Sequence, residues 1–559
     1  MVQITPEVKT TQPVNANLPK STQSLNVSRF LIDQLASWGV KRIFGVIGDA
    51  TLFLLDELAK QNRIQYIACA HECGAALMAS AEAKLTGRIG VCLATSGPGI
   101  ANLLNGLGDA SMDGAGVLAI TGQVETKKIG TSTKQYINQQ RLISPIAEQT
   151  ELLTHPDALP DLLQKALINA QVMGKVTHLS IPKDLFQQQV QGEIYTYNAH
   201  LHQTLMTPVE HIQETVNMLK SSQKPVFLLG RGVKNSASSV RELAEKLPAA
   251  VITTMPARSL FPNDHPLFAG GLGEAGSEAA SLLLAESDLI LILGGTWWPD
   301  DYIPNHLPIV QMDKVPAQIG LGRVVKKGIV GDLQMVVPQL LKEFKSDSSI
   351  RTDWEKRIAE VRGTWKQQIE KEADSEGTPI PPQRVIKAIA DYVDPDAVIA
   401  LDTGDHTIWF NRIFQAKRQD ILVSGRWRTM GFGLPAAIAA QLEFPLRQVV
   451  AVVGDGGVLQ TMMEFITAVR YQLPVIVIVM NNGSYAMEKN RMEVSGLNTM
   501  GSELGCPDFA MIAQSCGGRG LKADNAQQFE ELLRLALQQR KPTIIDVKTA
   551  DTLVPHTKI

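Results

Sequence analysis

Residues 449–482 read VVAVVGDGGVLQTMMEFITAVRYQLPVIVIVMNN, and this stretch decides the fold. Gln448–Val453 and Val475–Met480 are strand-sized runs rich in Val and Ile, as strands buried on both faces are. Between them Thr461–Tyr471 reads as a helix. A strand, a crossover helix and a second strand make a parallel unit. In a doubly wound sheet, ligands collect at the carboxyl ends of strands. Both polar clusters, Gly454-Asp455-Gly456-Gly457 and Asn481-Asn482, fall at such ends, so Asp455 and Asn482 are expected side by side. A carboxylate, an amide oxygen and a backbone carbonyl are hard oxygen ligands of the kind magnesium takes together with phosphate oxygens. The glycines around Asp455 let a diphosphate approach the backbone, and the helix that follows offers its first N–H groups to that anion. Singly, each cluster reads as a tight turn or a helix cap. Their pairing across one crossover favours a site.

Outward from this unit the same alternation recurs. A first block, residues 25–188, carries strand patterns at Arg42–Val46, Ile64–Ala68, Gly90–Ala94 and Gly116–Thr121, closing near Thr177–Pro182. A second, 205–345, has them at Pro225–Leu229, Ala250–Thr254, Leu289–Leu293 and Ile309–Met312, and ends near Val336–Phe344. The third, 380–555, adds Ala397–Leu401 and Thr543–Val547. The Gln-rich stretch Gln187–Gln203 reads as a linker, and the charged stretch Lys345–Pro382 as a solvated helix followed by a second linker. The expected fold class is therefore α/β, with three doubly wound parallel-sheet domains.

Composition narrows the function classes. A chain of 559 residues exceeds one hydrophobic core, and 44% apolar with 19% charged residues is ordinary globular usage. A formal net charge of -3 gives no sign of a nucleic-acid or acidic-membrane partner. The longest apolar runs are strand-sized, short of a membrane span. Five cysteines without a CxxC pair read as reduced thiols in a cytoplasmic protein. Residues 1–24 are polar and read as a flexible tail rather than a targeting peptide.

Gly454-Asp455-Gly456 with Asn481-Asn482 after one crossover resembles the thiamine-diphosphate (ThDP) binding motif, in the acetolactate synthase and pyruvate oxidase branch of that superfamily. The resemblance implies magnesium held by Asp455, Asn482 and the main-chain carbonyl of Ser484. Gly457, Tyr485, Ala486 and Met487 fall in the same cofactor-binding stretches. In the first block, Ala70-His71-Glu72-Cys73-Gly74-Ala75-Ala76 is similar to the family's segment bearing the catalytic glutamate. Ala94-Thr95-Ser96-Gly97-Pro98-Gly99 with Asn102 is similar to a cofactor loop of the family, and Gly48 belongs with it. Glu72 is the implied activator: a carboxyl on the pyrimidine ring favours the imino tautomer that takes the thiazolium proton, and it works best in an apolar pocket. Thr429-Met430-Gly431 resembles the segment gripping the aminopyrimidine, with Met430 as the wedge that bends the cofactor. Gly404-Asp405-His406 resembles a loop that meets the diphosphate, although a carboxylate at Asp405 would repel that anion. The three blocks become a pyrimidine-binding domain, a middle Rossmann-like domain and a diphosphate-binding domain. The family's sites lie between subunits, which implies a homodimer or homotetramer.

Substrate positions depart from the pattern. Thr133-Lys134-Gln135-Tyr136 retains the family's Gln as Gln135 but not its neighbours, and Ala486-Met487-Glu488-Lys489-Asn490-Arg491 carries Glu488 where simple 2-oxo acid decarboxylases have a proton donor. Gly271-Leu272-Gly273-Glu274-Ala275-Gly276 fits GxGxxG, yet Phe261–Ala269 before it does not read as a strand, so a dinucleotide fingerprint lacks its context. FAD is accordingly carried but not favoured. The leading expectation is carboligation: pyruvate is decarboxylated on ThDP and the hydroxyethyl carbanion attacks a second 2-oxo acid. The alternatives are a pyruvate oxidase-like flavoenzyme, a non-oxidative decarboxylase using Glu488, an NAD(P)-binding dehydrogenase built on the middle domain, and a non-catalytic ThDP-binding relative.

Overall fold

The computed structural model describes residues 25–199, 207–296, 298–344, 352–505, 507–555 and 557; the tail expected at 1–24 lies outside them. Three six-stranded sheets organise the chain, and every strand pair in them is parallel. With strands numbered in chain order within each sheet, the first runs 2-1-3-4-6-5, from Arg42–Gly45 as strand 1 to Val176–Pro182 as strand 6. The third repeats that order, from Val398–Leu401 to Thr543–Lys548. The middle sheet runs 3-2-1-4-5-6, from Pro225–Leu229 to Lys327–Val330, the order of dinucleotide-binding folds.

Helices on both faces bury the central strands completely, which is why Val449–Val453 and Val477–Val479 can be continuous apolar runs. Each such side chain contributes roughly 1.5–3 kcal/mol by leaving water. The first and third domains share one core through helices Glu72–Thr86 and Gly433–Glu443, whose buried residues include Ala75, Ala76, Ala79, Ala436, Ala437 and Ala440. Small residues also let two helices of the first domain meet closely: a Cβ on Gly106 would stand 2.6 Å from the Leu77 nitrogen. Arg42 staples the same seam, 3.1 Å from Glu82 and 2.9 Å from Glu443.

Several expectations are corrected. The strands Gln149–Leu152, Phe268–Gly271, Lys327–Val330, Asp420–Val423 and Arg519–Ala523 escape the sequence reading, and all five are sheet edges. Edge strands pack fewer neighbours and are short, so their sequences lack a long apolar run. Phe268–Gly271 does supply a strand before the GxGxxG stretch. It is nonetheless strand 3 at the sheet edge, away from the order reversal where a dinucleotide fingerprint sits. Thr461–Tyr471 is not one helix but a 3-10 turn, Met462–Glu464, followed by helix Phe465–Arg470, with a separate short helix Asp455–Leu459 upstream. Helix Thr352–Ala373 is not simply solvated: Trp354, Ile358, Val361, Trp365 and Ile369 form a buried face at helical spacing. The presumed linker after Gln187 packs too, since the Tyr195 carbonyl accepts hydrogen bonds from Trp38 and Ser37. Cys69, Cys73, Cys92 and Cys516 are free thiols; Cys506 lies outside the described residues. No helix among the described residues is long and apolar enough to cross a membrane.

Candidate active site

In the third sheet the order reverses between strands 1 and 3, and the loops leaving Leu401 and Gly454 meet at that point. Asp455 turns its carboxylate onto the loop beyond Asn481, where Oδ2 accepts the Gly483 N–H at 2.7 Å and Oδ1 accepts that of Gly456 at 2.8 Å. Asn482 Oδ1 accepts the Ser484 N–H at 3.1 Å, so Asp455, Asn482 and Ser484 converge within one turn. Gly483 enables that turn at φ +73°. Asn481 faces away, its amide 3.0 Å from Asp546 on the neighbouring strand. Burial raises the proton affinity of Asp455, and the N–H groups of Gly456, Gly483 and Ser484 pull it back toward the carboxylate.

The glycines form a cradle that a side chain would fill. A Cβ at Gly456 would stand 2.5 Å from the Tyr485 ring, and one at Gly457 3.1 Å from the Asp402 carboxylate. Asp402, which sequence reasoning missed, is a fully buried hub. It accepts N–H bonds from Thr403 at 2.7 Å and Gly431 at 2.9 Å, and burial pushes it up to about 6. It thereby fixes the Thr429-Met430-Gly431 turn, whose Gly431 carbonyl also accepts Thr461 Oγ1 at 2.8 Å. Its signal, a lone Asp after a strand, is too common to single out. Beside it, Gly404 leads into helix Asp405–Ile413. Burial holds His406 down at about 4, so its ring is neutral at physiological pH. Asp405 is less repulsive to an anion than its residue type suggests. Its Oδ2 accepts the Trp409 indole N–H at 2.9 Å, and burial pushes the carboxyl up to about 7. Among the described residues His406 Nε2 and Asp405 Oδ1 are buried without a hydrogen-bond partner, polar atoms that a bound polar ligand would satisfy.

The first sheet carries the second constellation at its own order reversal. Gly48 follows strand 1 and backs onto Thr95, where a Cβ would stand 2.3 Å from the Thr95 Cβ. Ser96-Gly97-Pro98 opens the helix Pro98–Met112, and Gln135, exposed at φ +62°, lays its backbone against Gly97. Glu72 begins helix Glu72–Thr86, is half-buried, and accepts the Asn102 amide at 3.0 Å. One turn on, Asn105 donates to Thr429 Oγ1 at 2.9 Å and accepts the Trp427 indole N–H at 2.8 Å. Glu464, also missed, reaches back from the third domain to accept the His71 N–H at 2.9 Å. Asn105 and Glu464 thus tie the first domain to the third. Among the described residues no hydrogen bond or ion pair joins Glu72 to the Asp455–Ser484 loop. Ala486, Met487 and Glu488 open helix Ala486–Val494, and Glu488 is exposed, 3.2 Å from Arg491.

A cleft of about 1310 Å³ joins the three domains, running from Gly230–Gly232 and Gly294–Gly295 of the middle sheet to Thr403, Gly404 and Met487. Those glycine loops leave strands 1 and 4, the order reversal of that sheet.

Comparison with known proteins bears on both constellations. Residues 25–142 match the thiamine pyrophosphate enzyme N-terminal TPP binding domain, 212–340 its central domain, and 402–547 its C-terminal TPP binding domain. The chain is 36% identical over 520 residues to the putative thiamine pyrophosphate-containing protein YdaP of Bacillus subtilis, covering 92% of this chain and 90% of the relative. It is 29% identical to pyruvate oxidase of Lactiplantibacillus plantarum, covering 97% and 92%. It is 33% identical to the acetolactate synthase isozyme 1 large subunit of Escherichia coli, covering 81% of each.

Proposed function

The chain belongs to the thiamine pyrophosphate enzyme family, in its acetolactate synthase-like branch, and from that premise we propose that it decarboxylates pyruvate and joins the two-carbon product to a second 2-oxo acid. The observation that carries the cofactor assignment is the turn in which Asp455 and Asn482 converge on Gly483 and Ser484 above a glycine cradle. Its donor set suits magnesium and a diphosphate. One carboxylate, one amide oxygen and one carbonyl leave coordination positions for phosphate oxygens. Asp455, Asn482 and the Ser484 carbonyl would hold the metal, with Gly454, Gly456 and Gly457 leaving room for the diphosphate and Gly404, Asp405 and His406 closing its far side. When bound, thiamine diphosphate supplies the nucleophilic carbon and the electron sink that loss of carbon dioxide requires.

The remaining work falls to the chain's own residues. Glu72 has one oxygen on Asn102, so its other oxygen is left to hold a proton on the pyrimidine ring. Thr429 and Met430 orient that ring. Gln135 orients the 2-oxo acid, and Glu488 is the proton donor that the non-oxidative decarboxylase alternative would use at the reacting carbon. We place Glu72 against the Asp455–Ser484 loop of a second copy, in a homodimer or homotetramer, as the resemblance to enzymes whose sites lie between subunits implies. Free thiols fit a reducing compartment, and we assign the enzyme to the cytoplasm.

FAD-dependent oxidation is the second reading, since the cleft stands at the order reversal of the middle sheet. It is not favoured, because the GxGxxG stretch follows an edge strand away from that reversal. The test is pyruvate turnover with ThDP and magnesium, with and without FAD, resolving products by NMR. Acetolactate formed without FAD supports the proposal. Acetate with peroxide and a yellow protein would replace it with oxidation, and acetaldehyde alone with simple decarboxylation.

A further inference from the structure

Four exposed charges cluster near Met487, two of them, Glu274 and Arg428, on the lining of the interdomain cleft, and this mechanism uses them only in part. Glu274 stands in the middle-domain loop between strand Phe268–Gly271 and helix Glu278–Glu286, and its Oε2 lies 3.0 Å from Arg491 Nη2. The other guanidinium nitrogen of Arg491 lies 3.2 Å from Glu488 Oε1. Arg428 immediately precedes Thr429 and is held in the left-handed region, at φ +51°. That conformation is costly for a residue with a side chain. Its side chain lines the cleft together with Glu274, Gly404 and Met487. Burial lowers its proton affinity, Arg491 lowers it further, and Glu274 opposes both, which puts the three groups within electrostatic reach of one another.

Two guanidinium groups and two carboxylates therefore meet beside Met487, with no net formal charge. Lys489 and Asp551 close a further pair at 2.5 Å alongside, so they add no imbalance. A monoanionic 2-oxo acid places an uncharged tail in such a neighbourhood at little cost. A 2-oxo acid with a second carboxylate would need a cation there; Arg491 is already held by Glu274 and Glu488, and Glu274 stands within electrostatic reach of Arg428. We propose that Glu274 is a specificity-determining residue: by neutralising Arg428 and Arg491 it restricts the enzyme to 2-oxo acids without a second negative charge at the far end. This rests on the reading that the chain acts on a small 2-oxo acid.

The test is Glu274→Gln in the ThDP- and magnesium-loaded enzyme, comparing kcat/KM for pyruvate and 2-oxoglutarate. Removing one unit charge from this cluster raises the 2-oxoglutarate-to-pyruvate ratio about tenfold, with pyruvate turnover within about threefold of wild type. Glu274→Gln combined with Arg428→Gln returns the ratio to its starting value. An unchanged ratio in an active Glu274→Gln enzyme overturns the proposal. If the wild type turns over neither acid, the 2-oxo acid reading fails instead. Calorimetric titration with glutarate and butyrate then decides this proposal separately: glutarate must gain about tenfold in affinity over butyrate in Glu274→Gln, and an unchanged ratio refutes it.

Discussion

Asn105→Ala probes how the first domain shapes the turn that presents Met430. The Asn105 side chain makes two hydrogen bonds across the domain seam, donating to Thr429 Oγ1 at 2.9 Å and accepting from Trp427 Nε1 at 2.8 Å. The Thr429 hydroxyl in turn donates to the Met430 carbonyl at 2.8 Å, so the amide sits at the head of a short chain ending on the proposed pyrimidine contact. A neutral hydrogen bond contributes about 0.5–1.5 kcal/mol net, so losing both costs about 2 kcal/mol. If all of that appears in cofactor binding, ThDP affinity falls about thirtyfold. A local loosening that the turn partly absorbs still gives about fivefold. The assay is ThDP titration at saturating magnesium, read by tryptophan fluorescence, because Trp427 is 40% exposed and loses its indole acceptor in the variant. Trp427→Phe, read by calorimetry because it removes the fluorescent reporter, takes away one of the two bonds and should fall between wild type and Asn105→Ala. A folded Asn105→Ala protein binding ThDP within twofold of wild type would refute the idea that this seam sets the cofactor turn.

Further outcomes follow from other parts of the structure. Gly456→Ala puts a Cβ 2.5 Å from the Tyr485 ring, so calorimetry should find weakened ThDP–magnesium binding with the fold retained in circular dichroism. Lys84→Met strands Asp109 and Asp113, which Lys84 contacts at 2.7 and 2.6 Å with its own side chain 2% exposed. Urea denaturation should show a loss of about 3–5 kcal/mol. Asp405 has its folded proton affinity raised to about 7, so the folded state holds a proton that an unfolded carboxyl releases near pH 4. Its contribution to stability therefore declines as pH rises from about 4 through about 7, and ThDP affinity declines over the upper part of that range as the carboxylate forms beside the diphosphate. Asp405→Asn should flatten both profiles; a wild-type ThDP affinity constant from pH 6 to 8 would contradict this.

The sequence is legible where physics leaves little choice. Central strands such as Leu289–Leu293 and Val449–Gly454 are covered on both faces, so they must be apolar throughout, and their runs stand out. Edge strands such as Arg519–Ala523, exposed at Lys522, have no such requirement and read as loops. Asp455 and Asn482 could be paired because a crossover unit fixes where both strand ends lie. Asp402, Asn105 and Glu464 could not, because their partners are 29, 324 and 393 residues away and their roles exist only once the domains pack. Asp405 shows a different limit. Its residue type announces a charge, while its burial and its bond to Trp409 hold that charge back.

The account stands most directly on Glu72. Pyruvate consumption should be measured in wild type and Glu72→Gln, each loaded with ThDP and magnesium, with ThDP affinity determined in parallel. The account predicts that Glu72→Gln binds ThDP within a few-fold of wild type yet loses at least about a hundredfold in turnover, the scale of a lost acid–base group. Equal turnover in the two proteins, with ThDP bound in both, would contradict it and leave the chain without its proposed activator.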